Sequence, residues 1–435
     1  MRMFDVLVVG GGPAGVSAAV ELAEQKLSVL LIEQRSSLGG AIHREGHDGS
    51  LAKAPMAARH RRNWARLKAA LKSRASQISI STETVFLGID GNGECLLDMR
   101  TLGGVRTTRT KAIIFAVGAS EEILPRMGWE LPNVVSAGGL QVQLKETGIP
   151  PAGRILVSGK GPLPLALASQ LTAMGNAPIA LIESGNLRSA LIKNPLDLLK
   201  LLCRLPLLVE ALGYLTRLFI SAVPRRRGYA VTKIEKSGAG LIVTVSSEKK
   251  QIKYLEVDLV VLHDGLKPNK RGLPTQSMHG ILIEHAGDCQ EILGADAAIL
   301  DGRNVARNVA LTLRGVATDQ IEPGWKRRTR MFQLVLAKLG YSELPAILPE
   351  TVICRCEGVT YRQLLADKNT SSAKEMRLNS RVGMGLCQGR FCSQAASRIA
   401  AQTGIDFAPE EIDGPSPRWP IRPVSVEALA CTKEL

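Results

Sequence analysis

The stretch DVLVVGGGPAGVSAAVELAEQKLSVLLIE, residues 5–33, constrains the fold more than any other part of the chain. Its apolar run Val6–Val9 shows no polar alternation, which is the pattern of a strand buried on both faces in a parallel sheet. Gly10, Gly12 and Gly15 then fit G-x-G-x-x-G, with Pro13 and Ala14 between them. A helical stretch rich in Ala and Leu follows, then a second apolar run, Val29–Ile32, that ends at Glu33. Gly10 permits a tight turn, Gly12 lets a pyrophosphate approach bare backbone, and Gly15 lets helix and strand pack closely. The helix N-terminus offers free N–H groups and the positive end of its dipole. Glu33 stands where a carboxylate accepts hydrogen bonds from a ribose. Strand, turn, helix, strand and acid in this order indicate a dinucleotide-binding βαβ unit rather than a glycine-rich loop.

The pattern recurs in GRILVSGKGPLPLALASQLTAMGNAPIALIESG, residues 153–185, with Gly159, Gly161 and Glu183. The third glycine is replaced by Pro164. Pro162 is tolerable in a first helical turn, whereas Pro164 adds bulk and removes one anion-facing N–H. The unit is expected to fold as βαβ. Binding of NAD(P) and a nucleotide domain retained without nucleotide both stay open. If NAD binds, Glu183 favours it over NADP by repelling a 2′-phosphate.

A chain of 435 residues, 45% hydrophobic, has room for several buried cores. Its net charge of +15 fits a solvated basic surface, an acidic cofactor or an acidic partner. Nucleic acid is not expected as a partner, because only 4% of residues are aromatic and no recognition motif stands beside the basic clusters at 59–62 and 224–228. The first strand begins almost at once, with no secretory leader before it. The apolar stretch 198–224 is broken by Lys200, Arg204, Pro206, Glu210 and Arg217. It reads as an amphipathic helix with a surface or partner role, not as a transmembrane segment. The cysteines do not suggest a secreted disulfide framework, so the cytoplasm is expected, with a peripheral position at the inner membrane left open.

Four of the eight cysteines, Cys354, Cys356, Cys387 and Cys392, form C-x-C-x30-C-x4-C. Free core thiols, structural zinc and a [2Fe–2S] cluster are the three readings. The C-x-C pair is tight for zinc, which favours the cluster. Gly385 and Gly389 flank Cys387 and permit close approach, and residues 393–404 read as a helix whose N-terminus favours a negative centre. Arg355, Arg381 and Arg390 either offset charge on such a centre or are surface residues. No catalytic triad, H-E-x-x-H or Walker sequence is present. His43 and His47 follow Gly39 and Gly40 and either reach toward the dinucleotide of the first unit or are surface or loop histidines, and no general base is assigned.

Beyond the first unit, QRSSLGGAI (34–42) resembles the flavin-binding segment of two-dinucleotide-domain flavoproteins, in which Gly39 and Gly40 would pass close to the flavin. KAIIFAVGAS (111–120), with Gly118, resembles the strand and turn that close the FAD domain. GILIEHAGDCQ (280–290) resembles the late G-D element, where Asp288 would bond the ribityl chain, and Cys289 reads as a space-filler. VVLHDGLKPNK (260–270) resembles the return from the inserted domain. Dithiol-using members carry a cysteine pair beside the flavin, which this chain lacks there, so disulfide reduction is not expected. Residues 350–405 resemble the bacterioferritin-associated-ferredoxin-like (BFD-like) domain, a small helical [2Fe–2S] module.

SPRWPIRPVSVEALA (416–430), GWELPNVVSAGGLQVQLK (128–145) and GKGPLPLALASQL (159–171) resemble the FAD-containing subunit of heteromeric amine or amino-acid dehydrogenases. That family includes the opine oxidase, hydrogen cyanide synthase and D-hydroxyproline dehydrogenase types. The resemblance implies FAD, a [2Fe–2S] cluster, a partner amine-oxidising flavoprotein subunit and an electron acceptor, with a small ferredoxin-like subunit left as a further candidate. Pro164 and Cys289 depart from its pattern. A stand-alone NAD(P)H-dependent FAD oxidoreductase and a non-enzymatic redox sensor are the alternatives. The expected architecture is α/β: an FAD-binding Rossmann-like domain (1–119 and 266–330) with an inserted NAD(P)-binding-like Rossmann domain (120–265). A linker (331–349), a BFD-like [2Fe–2S] module (350–410) and a tail (411–435) would follow.

Overall fold

The computed structural model describes residues 3–46, 54–185, 195, 197, 200–201, 204–247, 251–317, 322–339, 347–366, 371–402 and 419–435. The chain opens with strand β1 (Phe4–Val9), helix α1 (Pro13–Glu24) and strand β2 (Val29–Ile32). Helix α2 (Ala58–Ser73) and strand β3 (Ile78–Ser81) follow. A meander of β4 (Thr84–Ile89), β5 (Cys95–Met99) and β6 (Gly104–Thr108) precedes β7 (Thr110–Phe115). β1 pairs in parallel with β2 on one side and β7 on the other. Val6, Leu7 and Val8 are fully buried, because one apolar cluster with the helices covers one face and another with the meander covers the other. Burial on both faces is why the run carries no alternation.

β8 (Ala119–Glu122) leads out of this sheet. Next come β9 (Val134–Ser136), α3 (Ala137–Thr147), β10 (Ile155–Gly159), α4 (Pro162–Ala173) and β11 (Ala180–Glu183). Then follow α5 (Leu205–Ile220), β12 (Arg225–Arg227), a meander of β13 (Tyr229–Ser237), β14 (Gly240–Ser247) and β15 (Ile252–Val257), and β16 (Leu259–His263). The parallel strands form a second sheet in the order β12-β11-β10-β16-β9. β17 (Gly265–Pro268) leads back, antiparallel to β8. Within the apolar stretch 198–224, helix α5 starts only at Leu205, with Pro206 in its first turn, where a missing N–H costs no helical bond. Its face bearing Leu205, Val209, Leu212, Phe219 and Ile220 is exposed. Among the described residues no helix is long and apolar enough to cross a membrane.

β18 (Leu282–His285) returns beside β7 and completes the first sheet, β18-β7-β1-β2-β3. Helix α6 (Ala295–Leu313) packs on α1. A Cβ at Gly302 would fall 2.2 Å from the Ala14 carbonyl oxygen, so glycine sets that close approach. Glu21, buried in α1, accepts from Arg303 and Arg307 of α6 at 3.2 Å each. Helix α7 (Gly324–Leu339) follows. Its Phe332 and Val335 bury against Leu201, on the apolar side of the helix.

The C-terminal module comprises β19 (Val352–Cys354), β20 (Val359–Thr360), α8 (Ala373–Ser380) and α9 (Ser393–Gln402). It has its own core of Ile353, Val359, Leu364, Met376, Val382 and Ile399. The end of the chain folds back as α10 (Val426–Ala430) and β21 (Lys433–Glu434), and β21 joins the first meander in the order β21-β6-β5-β4. Trp419 presses on Gly88, where a Cβ would lie 2.5 Å from its ring, and the Ile421 N–H donates to the Leu87 carbonyl at 2.9 Å.

Candidate functional site

The first site lies at the carboxyl ends of β1, β7 and β18, where Val9, Phe115 and His285 stand in register. Such an edge is where open parallel sheets take ligands. Gly10, with φ +110°, has no room for a side chain, because a Cβ would meet the Ala116 carbonyl oxygen at 2.5 Å. A Cβ on Gly15 would fall 1.8 Å from the Gly10 carbonyl oxygen. Gly12 faces Gly40, so two bare backbones meet there, and the Gly39 N–H donates to the Gly11 carbonyl at 2.8 Å. Pro13 occupies the start of α1, and Ala14 is buried against α6. Glu33 accepts from the Gly11 N–H at 2.8 Å and the Arg35 N–H at 3.0 Å, which braces the turn.

Gly118 follows β7, with open space where a Cβ would stand. Asp288 uses Oδ1 to accept from the Leu293 and Gly294 N–H groups, both at 3.0 Å. Burial pushes its carboxyl up from the ordinary range. The structure thus brings Gly10, Gly12, Pro13, Ala14, Gly15, Gly39, Gly40, Gly118 and Asp288 to one edge. Cys95 and Cys289 are buried, and burial pushes their thiols to about 12 and about 11, so neither is poised for disulfide chemistry.

Sequence reasoning missed a polar layer beside this edge. His43 does lie in a turn, but of its two readings the surface one fails. It is buried, stacked on Trp64 at 5.3 Å between centroids, and neither ring nitrogen has a partner among the described residues. Burial, then the charges of His60, Lys145 and Arg59, lower its pKa to about 3. Lys145 of α3 is also buried. It donates to the carbonyls of Ala41 and Ile42 at 2.9 and 3.1 Å and to Gln141 Oε1 at 3.1 Å. Burial, then the Arg44 charge, lowers it to about 7. Nothing in the local spacing marks a lysine as buried, and only the folded neighbours reveal it. His47 lies outside the described residues.

The second turn, after β10, carries Gly159 and Gly161, with Pro162 at the start of α4 and Pro164 buried behind it. Both prolines fall in the first turn, where N–H groups have no helical partner, so α4 forms regardless. Glu183 at the end of β11 is not a free acid. Arg225 donates Nε to Oε2 at 3.1 Å and a terminal nitrogen to Oε1 at 2.9 Å, and Arg227 approaches Oε2 at 3.6 Å. The expected repulsion of a 2′-phosphate by Glu183 is therefore offset by two guanidinium groups.

The four C-terminal cysteines come close to one another in one module. Cys354 and Cys392 are buried and share a hydrogen bond, while Cys356 is exposed and pairs with the half-buried Cys387. The Cys392 thiol, then N–H groups of Gly383, Glu357 and Cys356, pull Cys354 down to about 6, which favours its thiolate. Cys392 is pushed up in turn, chiefly by its hydrogen bond to Cys354. A Cβ at Gly385 would sit 2.4 Å from the Cys356 Cβ, so the close approach there depends on glycine. Cys392 immediately precedes α9. Of the arginines considered, Arg381 pairs with Glu357 at 2.8 Å and Arg355 lies over the Trp129 ring at 5.9 Å. Among the described residues no three metal-binding side chains gather about a single point.

The family model for pyridine nucleotide-disulphide oxidoreductases matches residues 4–290. The chain is 31% identical over 466 residues to an opine oxidase subunit of Rhizobium meliloti (strain 1021), with 99% of each chain covered. It is 26% identical to hydrogen cyanide synthase subunit HcnB of Pseudomonas aeruginosa, with 97% of each covered. Among solved structures, L-proline dehydrogenase from P. horikoshii superposes with a TM-score of 0.60 at 19% identity, covering 98% of this chain and 79% of that one, which shows a shared fold. A match spanning both glycine turns, joined to a relative aligned from end to end, places this chain in the pyridine nucleotide-disulphide oxidoreductase family, beside the opine oxidase subunit of Rhizobium meliloti.

Proposed function

We propose that this protein is the FAD- and [2Fe–2S]-containing electron-transfer subunit of a heteromeric dehydrogenase that oxidises the C–N bond of an amine or amino acid. The observation that carries the reading is the gathering of Cys354, Cys356, Cys387 and Cys392, each close to another of the four, in one module beside a flavoprotein-type body. Four thiolates suit a two-iron centre. The tight C-x-C spacing of Cys354 and Cys356 favours that centre over a structural zinc.

FAD would be held by the Gly10–Gly15 turn, with Glu33, Gly39, Gly40, Gly118 and Asp288 around it. The N-terminus of α1 offers unpaired N–H groups to a pyrophosphate. Asp288 Oδ2 has no protein partner among the described residues and is left to a ligand hydroxyl. When bound, FAD takes up an electron pair and the cluster carries electrons one at a time. With Cys354 and Cys392 buried and Cys356 exposed, the thiols run from the interior to the surface, as an exit to an acceptor requires.

The relatives are each one subunit of a larger enzyme, which supports a partner amine-oxidising flavoprotein and, as a further candidate, a small ferredoxin-like subunit. The exposed apolar strip of α5 supports a docking role for that helix. We divide the chain at β8 and β17, close to residues 119 and 265, and place the protein in the cytoplasm, with a peripheral position at the inner membrane as its membrane-side option.

A second reading, a stand-alone NAD(P)H-dependent oxidoreductase, draws on the open space at Gly161. Pro164 and the Glu183–Arg225 pair oppose it. Anaerobic titration of the purified protein with NADH, followed by visible and EPR spectra, separates the two. Inertness toward NADH, with reduction only once both an amine and a partner flavoprotein have been added, is the expected result. Bleaching by NADH alone would transfer the assignment to the second reading.

A further inference from the structure

The second dinucleotide-type unit keeps its sheet, its turn and its helix, yet its acid is tied up and its turn carries Pro164. A different use is visible at the edge of its core. Trp129 follows β8, and its ring is buried in the apolar cluster between the second sheet and the β13–β15 meander. Its indole N–H leaves that core and donates to the Val352 carbonyl at 2.6 Å. Val352 begins β19, the strand that ends at Cys354 and runs on into Arg355 and Cys356. The Arg355 guanidinium, between the two cysteines, lies over the same tryptophan ring. A second tie joins Arg398 of α9 to Glu122 of β8 at 3.2 Å. Arg271, beyond β17 on the return to the first unit, also approaches Gly389, where a Cβ would come within 2.7 Å of the guanidinium, so one further contact reaches the first unit.

We propose that the second dinucleotide-type unit is the seat of the four-cysteine module, and that Trp129 is the positioning residue that fixes the strand carrying Cys354 and Cys356. One side chain rooted in a rigid core holds the strand by its backbone just before the first cysteine and by the residue between the two. The module's own core has no residue in common with the unit beneath it, so these polar and cation–π ties decide how it sits. This explains why the unit persists with its nucleotide turn compromised: it carries the electron exit. The inference rests on the cluster reading for its spectroscopic readouts but not for its chemical one.

The test uses the full-length protein with its cofactors and the substitution Trp129→Phe, which keeps the ring and removes the N–H. Three quantities are read: the rate of cluster bleaching by an iron chelator, the EPR spectrum of the reduced cluster, and the cluster midpoint potential. Flavin absorbance serves as the internal control. Losing one buried hydrogen bond is expected to speed bleaching about fivefold, with a changed EPR signal and shifted potential and the flavin band unmoved. Unchanged bleaching, signal and potential would overturn the proposal. If the wild type carries zinc or no metal, the cluster reading fails while the seat stays testable. Iodoacetamide should then alkylate Cys354 and Cys356 of the metal-free variant several-fold faster than in the wild type, and equal rates would refute it. Should Trp129→Phe not fold, Arg355→Met, at an exposed position, is expected to give a roughly twofold effect in the same direction, and no effect would again refute the seat.

Discussion

The two glycine turns share a pattern and a sheet type but not their surroundings. At the first, Gly12 faces Gly40 and the terminal acid Glu33 braces the turn through the Gly11 N–H. At the second, Pro164 removes an N–H from the start of α4, and the terminal acid Glu183 is held by Arg225, 42 residues further on. Both units fold as βαβ, because the strands bury on both faces and the first-turn N–H groups are not needed for the helix. Competence to bind an anion is a separate property. It depends on how many N–H groups face outward and on whether the terminal acid is free, and both are set by residues outside the glycine pattern.

The largest effect is expected at Gly15. Its substitution by Ala sets a Cβ 1.8 Å from a carbonyl oxygen of the same turn, and backbone cannot swing aside. A loss of about 3 kcal/mol or more should appear in thermal unfolding, with flavin released from purified protein. Gly161→Ala meets nothing within 4 Å and bears only the backbone strain of φ +81° with ψ −169°, about 1–3 kcal/mol. Equal losses at the two positions would break the comparison.

The terminal acids come next. Glu33→Gln turns an NH₂ toward backbone donors in a buried site, at a cost of about 1–3 kcal/mol, visible in urea unfolding and in flavin lost on dialysis. Glu183→Gln disturbs a half-buried pair and should cost about 0–1 kcal/mol. A larger loss at Glu183 would mean that its arginines, not the strands, hold the second sheet's edge.

Much of this was readable in advance, and the failures have a common origin. Val6–Val9, Gly10 and Gly15 announced their roles because sheet burial and close packing act within a few residues. The spacing of Cys354, Cys356, Cys387 and Cys392 suggested a common site, and the fold brings them close to one another. Lys145, Arg225 and Trp129 carried no local signal. Each matters through a partner more than 40 residues away: the carbonyls of Ala41 and Ile42, the carboxylate of Glu183 and the carbonyl of Val352.

Buried histidines offer a subtler contrast. His263 of the second unit faces Glu121 at 2.7 Å, whereas His43 of the first has no partner among the described residues. Because the folded pKa of His43 is lowered to about 3, the unfolded chain binds a proton there as pH falls through 6.5 and the folded protein does not. Stability from this group is therefore full above pH 6.5 and lost as pH falls from 6.5 toward 3. One unit below 6.5 the loss is about 1 kcal/mol. His43→Phe, which keeps the stack on Trp64, should narrow the difference in urea midpoints between pH 7.5 and pH 5.5 by that amount. An unchanged difference would mean that His43 gains a proton partner in solution.

Pro164→Ala should have a small effect on stability and the most to say about the comparison. Restoring alanine frees the unfolded chain, so a loss of about 0.4–1 kcal/mol is expected, while an outward N–H returns to the turn. With Glu183 still held by Arg225, NADH titrated by fluorescence should bind no better than to the wild type. Adding Arg225→Ala releases the acid, and the double variant should then bind NADH measurably. Binding by Pro164→Ala alone would show the missing N–H to be the whole difference between the two turns. Binding by neither variant would move the obstacle away from the turn and the acid, to the shape of the cleft around them.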